Sequence, residues 1–266
     1  MGAIITLTTD FGLIDGYVAA VKGVILSINP QATLIDITHQ IPPQNINQAA
    51  FVLSTVYNYF PPQTVHLVII DPGVGTKRRA IILKTSQYYF IAPDNGVLSY
   101  IIRKYSTELD INSGLAAVAI TNPKYWCSPV SHTFHGRGIF APVAAHLSLG
   151  VPMKEFGEPI SSIDILPLAE PHIASDGSLI GNVIHIDSFG NLITNIEETG
   201  LPEGELIILI GNYTIRGLSR TYVEGRKLVA LIGSSGYLEI ALREGNAAIY
   251  CGAKIGSEVA IITKTD

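Results

Sequence analysis

The string Ser131-His132-Thr133-Phe134-His135-Gly136-Arg137 brings two imidazoles and a guanidinium together just ahead of an apolar, helix-spaced run from Ala141 to Leu147. Side chains of these types can activate water, directly or through a metal ion. Zinc would take three protein ligands, and Asp71 could join His132 and His135, but no HExxH or similar helical spacing accompanies them. Histidines that are merely hydrogen-bonded in a loop are the plain alternative. Two carboxylates, Asp10 and Asp71, each close a β-branched apolar run, which is where open α/β sheets bind ligands. An acid at that place equally caps the turn or helix that follows. Later in the chain, Asp187-Ser188-Phe189-Gly190-Asn191 and Gly233-Ser234-Ser235-Gly236 read as polar turns. An Asn there, donor and acceptor together, could pair with a base edge, although Asn and Gly are also what any tight turn requires. Asp10-Phe11-Gly12 lacks the other kinase strings, and Gly73-Val74-Gly75 has no third glycine and opens no helix, so neither is a nucleotide signature.

The elements that must position these groups are legible as alternation. Ile4 to Thr8, Thr33 to Thr38 and Val65 to Ile70 read as strands, with helical patterns from Gly16 to Ile28 and from Ile46 to Tyr59 between them. Such alternation predicts a parallel sheet covered by helices. Ala80 to Thr85 and Tyr88 to Ala92 pair as a hairpin, and Asn95-Gly96 opens a short helix through Ile102. Proline-rich, irregular sequence from Pro159 to Gly177 marks a boundary, giving an α/β domain over 1–165 and a second domain over 176–266. The second is a succession of short β-type runs (180–186, 192–196, 206–210, 214–218, 228–232, 237–241 and 258–263), the pattern of a small antiparallel β-barrel or sandwich with little helix.

Composition removes several function classes. Of 266 residues 47% are apolar and only 15% charged, with a mean hydropathy of +0.35, a composition that extensive burial between subunits would explain. No run approaches the roughly 20 apolar residues of a membrane helix. The N-terminus shows no basic, cleavable leader, so the expectation is a cytoplasmic protein without membrane attachment. Met1-Gly2 to Thr6 fits the loose myristoylation pattern but reads better as the entry to a buried strand. A net charge of -5 without a basic cluster argues against nucleic acid. Cys127 and Cys251, far apart, suggest neither a zinc knuckle nor a disulfide framework.

Six strings, in order over nearly the whole chain, resemble one family: Thr8 to Gly12, Ile70 to Thr76 with Arg78-Arg79, Ala92 to Gly96, Thr133 to Arg137, Asp187 to Asn191, and Gly236-Tyr237-Leu238. That family is the S-adenosylmethionine hydrolases, or S-adenosylmethionine hydroxide adenosyltransferases, related to fluorinase and chlorinase. The resemblance implies an α/β N-terminal domain, a C-terminal β-barrel, and a homotrimer that binds substrate between one subunit's first domain and its neighbour's second. It implies that Asp71, Arg78 and His135 activate water and that Asp10 holds the ribose hydroxyls. Asp15, Asp187 and Ser234 would meet the methionine end, and Asn191 would read adenine. It further implies hydrolysis of S-adenosyl-L-methionine to adenosine and methionine with no cofactor. The chemistry fits those residue types: a sulfonium leaves as a neutral thioether, so Arg78 and His135 would serve as cationic donors to the nucleophile, Asp71 would orient them and could accept a proton, and no metal is required. Gly136 stands where fluorinases carry a halide-binding serine, Asp71 replaces a pocket-closing tyrosine, and only a short turn at Ser86-Gln87 stands where fluorinases have an insertion. Gly138 departs from the Asp usual in the hydrolases and takes a partner from Arg137. A non-catalytic adenosine-binding module, a halide-dependent adenosyl halide synthase and a metal-dependent hydrolase are the competing readings.

Overall fold

The computed structural model describes residues 2–105, 114–224 and 227–263. The chain divides into two compact units, Met1–Leu166 and Pro167–Asp266.

The first unit runs β1 (Ile4–Thr9), α1 (Tyr17–Ile28), β2 (Thr33–Thr38), α2 (Ile46–Val56), β3 (Val65–Ile69), β4 (Ala80–Lys84), β5 (Tyr89–Pro93), α3 (Ser99–Tyr105), β6 (Ala116–Ala119) and α4 (Ala141–Ser148). Its sheet has the order β2-β1-β3-β5-β4-β6. The pairings β2–β1, β1–β3 and β3–β5 are parallel, whereas β5–β4 and β4–β6 are antiparallel. The predicted mainly parallel α/β sheet is therefore present. β3 is buried throughout, and apolar but for His66, because it is covered on both sides: Leu67 and Ile69 join one core with Val21, Ile25, Val143 and Leu147, while Val68 joins the other with Ala49, Leu53 and Ile101. The chain leaves β1 toward β2 on one side and returns with β3 on the other, so the sheet reverses direction between β1 and β3.

Several elements differ from expectation for local reasons. The helix expected to Tyr59 ends at Val56 and tightens into a 3-10 turn, Tyr57–Tyr59, ahead of Pro61-Pro62. Asn95-Gly96 opens no helix. Gly96 takes a left-handed conformation (φ 91°) and Asn95 accepts from the Val97 N–H, so α3 begins at Ser99. The alanine-rich β6 carries a weak strand signal and is a strand because it pairs along β4.

The second unit comprises β7 (His172–Ile173), β8 (Leu179–Ile186), β9 (Leu192–Glu197), β10 (Leu206–Ile210), β11 (Tyr213–Arg216), β12 (Leu228–Ile232), β13 (Tyr237–Leu242), α5 (Ala247–Cys251) and β14 (Glu258–Thr263). The antiparallel path β11-β10-β14-β8-β9-β13-β12, with β7 beside β8, curls into a nearly closed barrel. Ser219 N–H donates to Ala230 O (2.8 Å) and ties the chain after β11 to β12. Alternate residues, among them Val183, Ile208, Ala230, Leu238 and Val259, fill the interior. The short helix α5, absent from the expectation, is set by Asn246, whose side chain accepts from Ile249 N–H, and by left-handed Gly252.

On β3, His66 is wholly buried, its Nδ1 2.8 Å from Thr6 Oγ1 and its ring packed among Tyr57, Phe60, Tyr88 and Phe90. Burial pushes its pKa down to about 3. The unfolded chain therefore takes up a proton near pH 6.5 that the folded chain refuses until about pH 3, so stability falls with acidification across that window. In urea melts, His66→Phe should flatten the acid limb relative to the unaltered protein by up to about 1.4 kcal/mol per pH unit. Parallel limbs would show that His66 does not carry this dependence.

Candidate active site

Asp71 follows β3 directly and leads into the turn Asp71-Pro72-Gly73-Val74-Gly75-Thr76. Val74 N–H donates to Asp71 O (3.2 Å), Thr76 N–H to Gly73 O (3.1 Å) and Arg78 N–H to Thr76 Oγ1 (3.3 Å). The turn brings Arg78 back to face Asp71 in a two-pronged ion pair. Nε reaches Oδ1 at 2.7 Å and Nη2 reaches Oδ2. The side chains are only 12% and 7% exposed, so this is a largely desolvated pair with the geometry that strengthens it. Phe140 lies beneath the guanidinium, 5.2 Å from its ring centroid to the Arg78 carbon. Gly75 (φ 78°) permits a close approach of chains, since a Cβ there would stand 2.8 Å from His132 O.

That approach delivers His135. Arg78 Nη2 lies 3.0 Å from His135 Nδ1, and because a guanidinium only donates, Nδ1 must accept. The imidazole is thereby neutral, with its proton on Nε2. Burial, and next the charge of Arg78, lower the His135 pKa, and His132 adds to this while Asp71 opposes it. The expected cationic donor is thus corrected to a neutral one. Gly136 to Phe140 form a π-helical turn closed by Ala141 N–H on Gly136 O, running straight into α4. Arg137 stacks over Phe134 at 5.3 Å. His132 is exposed, both Asp71 oxygens are held by Arg78, and among the described residues no three His, Cys, Asp or Glu side chains group as a metal cage would need.

Asp10, Phe11, Asp71, Phe134 and His135 line a common cavity of about 270 Å³. Asp10 Oδ2 accepts from Gln44 N–H (2.8 Å), a residue with positive φ (65°). Phe11, Tyr17 and Phe134 form an aromatic cluster with ring centroids 5.2–5.8 Å apart. The cavity has a polar end, where Asp10 and Asp71 offer acceptors and His135 a donor, and an aromatic wall, suited to a polar ligand with a flat apolar part. Asp15 lies exposed on the loop between β1 and α1.

In the second unit, Asp187 Oδ1 accepts from the N–H groups of Phe189 and Asn191, both at 2.9 Å, and Oδ2 accepts from Asn191 Nδ2 at 2.9 Å. The two side chains therefore fix one another in a turn completed by left-handed Gly190, beside which Asn246 leaves no room for a Cβ. Ser234 is exposed in the β12–β13 turn.

Sequence reasoning took Asn95 only as the start of a helix and as part of a family string, and passed over Glu239. Asn95 Nδ2 donates to Ile70 O (2.9 Å), clamping the backbone just ahead of Asp71. Glu239, buried on β13, accepts from the Tyr222 hydroxyl (2.9 Å), and burial pushes its pKa up, with the Asp187 charge adding to the effect. Its signal was available: a lone carboxylate amid Leu238, Ile240 and Ala241.

Known proteins resemble the chain over nearly its whole length. Residues 5–157 match the N-terminal domain model of the S-adenosylmethionine hydroxide adenosyltransferases, and residues 181–260 match the corresponding C-terminal domain model. A protein of Salinispora tropica named (R)-S-adenosyl-L-methionine hydrolase is 35% identical over 263 residues, 97% of each chain. A fluorinase of Actinoplanes is 29% identical over 295 residues, again 97% of each. A solved structure described as an uncharacterized conserved protein from Thermotoga maritima superposes with a TM-score of 0.86 at 38% identity, covering 97% of this chain and 99% of that one.

A double-mutant cycle on Asp71→Asn and Arg78→Met, read by urea melts, should return a coupling of about 1.5–3 kcal/mol, the range of a charge-assisted bidentate pair away from water. A coupling near zero would mean that the pair does not hold the turn.

Proposed function

The chain belongs to the S-adenosylmethionine hydroxide adenosyltransferase family, and from this we propose that it is an enzyme that hydrolyses S-adenosyl-L-methionine to adenosine and L-methionine. The observation that carries the reading is the hydrogen-bonded Asp71–Arg78–His135 cluster opening into a cavity shared with Asp10. The relatives' name specifies the (R) epimer at sulfur, and we take that epimer as the substrate.

The chemistry asks little of an acid. The water oxygen bonds to the 5′ carbon, the C5′–S bond breaks with its electron pair passing to sulfur, the sulfonium departs as neutral thioether, and the proton shed by the water passes to the Asp71 carboxylate, which lines the same cavity, and from there to solvent. The difficulty is the nucleophile, since water has a pKa of about 15.7. In this reading His135 offers its Nε2–H to the water oxygen, fixing it in line, and the Arg78 charge stabilises developing negative charge on it. Asp71 sets the direction of Arg78 and thereby the tautomer of His135. Asp10 takes the ribose hydroxyls, Asn191 the adenine, and Asp15, Asp187 and Ser234 the methionine end.

Water is favoured over halide because Gly136 is closely packed. A Cβ there would stand 3.1 Å from Phe134, 3.3 Å from Phe11 and 3.4 Å from Ile69, so the serine of a halide pocket would force its neighbours to move. The reading includes a homotrimer whose site lies between subunits, in the cytoplasm. Apolar side chains left exposed beside the binding strings support such an assembly: Leu13 and Ile14 follow Asp10, and Phe189 and Ile249 flank the Asp187 turn. Among the described residues no helix is long and apolar enough to cross a membrane.

The test is incubation of chelator-treated protein with each sulfonium epimer in chloride-free buffer made with heavy-oxygen water. Adenosine carrying the heavy oxygen should appear, and His135→Ala should slow its formation by about 10²–10³-fold, the worth of one aimed donor. Binding without adenosine, with or without added halide, would leave a non-catalytic binding module. Since His135 resists protonation, kcat should stay level through neutrality and fall only at pH values below the ordinary imidazole range of about 6.5. A rise in kcat on protonation of His135 would contradict the neutral-donor role.

A further inference from the structure

Immediately after β2, His39 is 4% exposed. Its Nδ1 lies 2.8 Å from Thr9 Oγ1, and Thr9 is itself 1% exposed. Thr9 Oγ1 accepts from Phe11 N–H at 3.3 Å, and the His39 carbonyl accepts from Gly12 N–H at 2.8 Å. His39 thus grips the Thr9-to-Gly12 loop on both sides of Asp10. Behind the ring, Asp36 Oδ1 stands 3.0 Å from Nε2, and Lys22 donates to the other Asp36 oxygen at 2.6 Å.

The order carboxylate, imidazole, hydroxyl looks like a nucleophilic triad, but a threonine so deeply enclosed cannot meet a substrate. What the chain does is set proton direction. The Asp36 carboxylate, 3.0 Å from Nε2, electrostatically favours the imidazole proton on that nitrogen, which leaves Nδ1 to accept from the Thr9 hydroxyl. The Thr9 oxygen is then oriented to accept from Phe11 N–H. The segment that begins at His39 also supplies the Gln44 N–H bound to Asp10 Oδ2, so one stretch of chain holds both the loop and its carboxylate.

We propose that His39, backed by Asp36 and acting through Thr9, is a positioning residue that presents the Asp10 carboxylate to the two hydroxyls of a ribose. The inference rests on the reading of Asp10 given above. It requires the effect of disturbing His39 to fall on the diol and not on the rest of the ligand. A histidine that merely packed the β1–β2 edge would have no reason to make that distinction.

Calorimetric titration of the full-length protein with adenosine and with 2′,3′-dideoxyadenosine separates the two, independently of turnover. His39→Leu should weaken adenosine binding by about tenfold or more, the loss expected when a charged acceptor is misaligned, and change dideoxyadenosine binding by less than about twofold. His39→Asn, which keeps an acceptor near the Nδ1 position, should recover most of the loss. Should His39→Leu fail to fold, Thr9→Val removes the linking hydroxyl at nearly constant volume and should give the same selective loss. Equal losses on both ligands, or none on either, would overturn the proposal. If the unaltered protein does not prefer adenosine to its dideoxy analogue, the reading of Asp10 fails and the proposal with it. A preference that survives unchanged in His39→Leu sinks the proposal alone.

Discussion

Two opposite charges held out of water, Asp71 and Arg78, set the terms for everything around them. Desolvation is costly for each ion, and a pair of this kind persists only where geometry is tight and the remaining polar atoms are satisfied. The surroundings supply both. The turn from Asp71 to Arg78 is cross-tied by its own hydrogen bonds, Asn95 pins the preceding carbonyl, and the Phe140 ring backs the guanidinium. The one guanidinium donor that the carboxylate shares is turned toward His135 and decides which ring nitrogen carries the proton. A tautomer is thus determined by an ion pair, and the ion pair by a turn.

The sheet explains why these groups meet. Reversal of strand order between β1 and β3 opens a crevice at their carboxyl ends, and both Asp10 and Asp71 are the first polar residues beyond those ends. β3 is central and buried on both faces, so its terminus is among the most constrained points of the first unit. The antiparallel half of the sheet contributes indirectly, since β5 ends at Pro93 and hands the chain to Asp94 and Asn95. Arg79 binds Asp94, and Asp94 in turn accepts from Asp164 N–H, which fastens the irregular segment after α4 to the same corner.

What the sequence disclosed follows from how local each signal was. The parallel strands were legible because β-branched runs alternated with helical spacing, and the barrel because short strands recurred at close intervals. β6 was not, since three of its four residues are alanines, which carry little strand preference, and its pairing with β4 is a tertiary matter. α5 rests on a cap and a closing glycine that look like an ordinary turn. At the site, Asp71, Arg78 and His135 stood out as residue types, and the structure brings them together. Their protonation did not stand out: read as charges along a chain, Arg78 and His135 are two cations, and only the 3.0 Å contact makes the second neutral. The clamping role of Asn95 escaped notice because a clamp on a backbone carbonyl leaves no trace in the residue that it clamps.

The π-helical turn at Gly136–Phe140 has a consequence for how such a site can change over time. A residue added to a helix rotates everything before it by about 100° relative to everything after it. With the extra residue absorbed by a wide turn, the aim of His135 is decoupled from the register of α4, whose buried face is locked into the core. Insertion or deletion within those five residues would swing the imidazole to a new bearing while leaving the helix seated, so the orientation of the reactive group can drift without the scaffold having to be repacked.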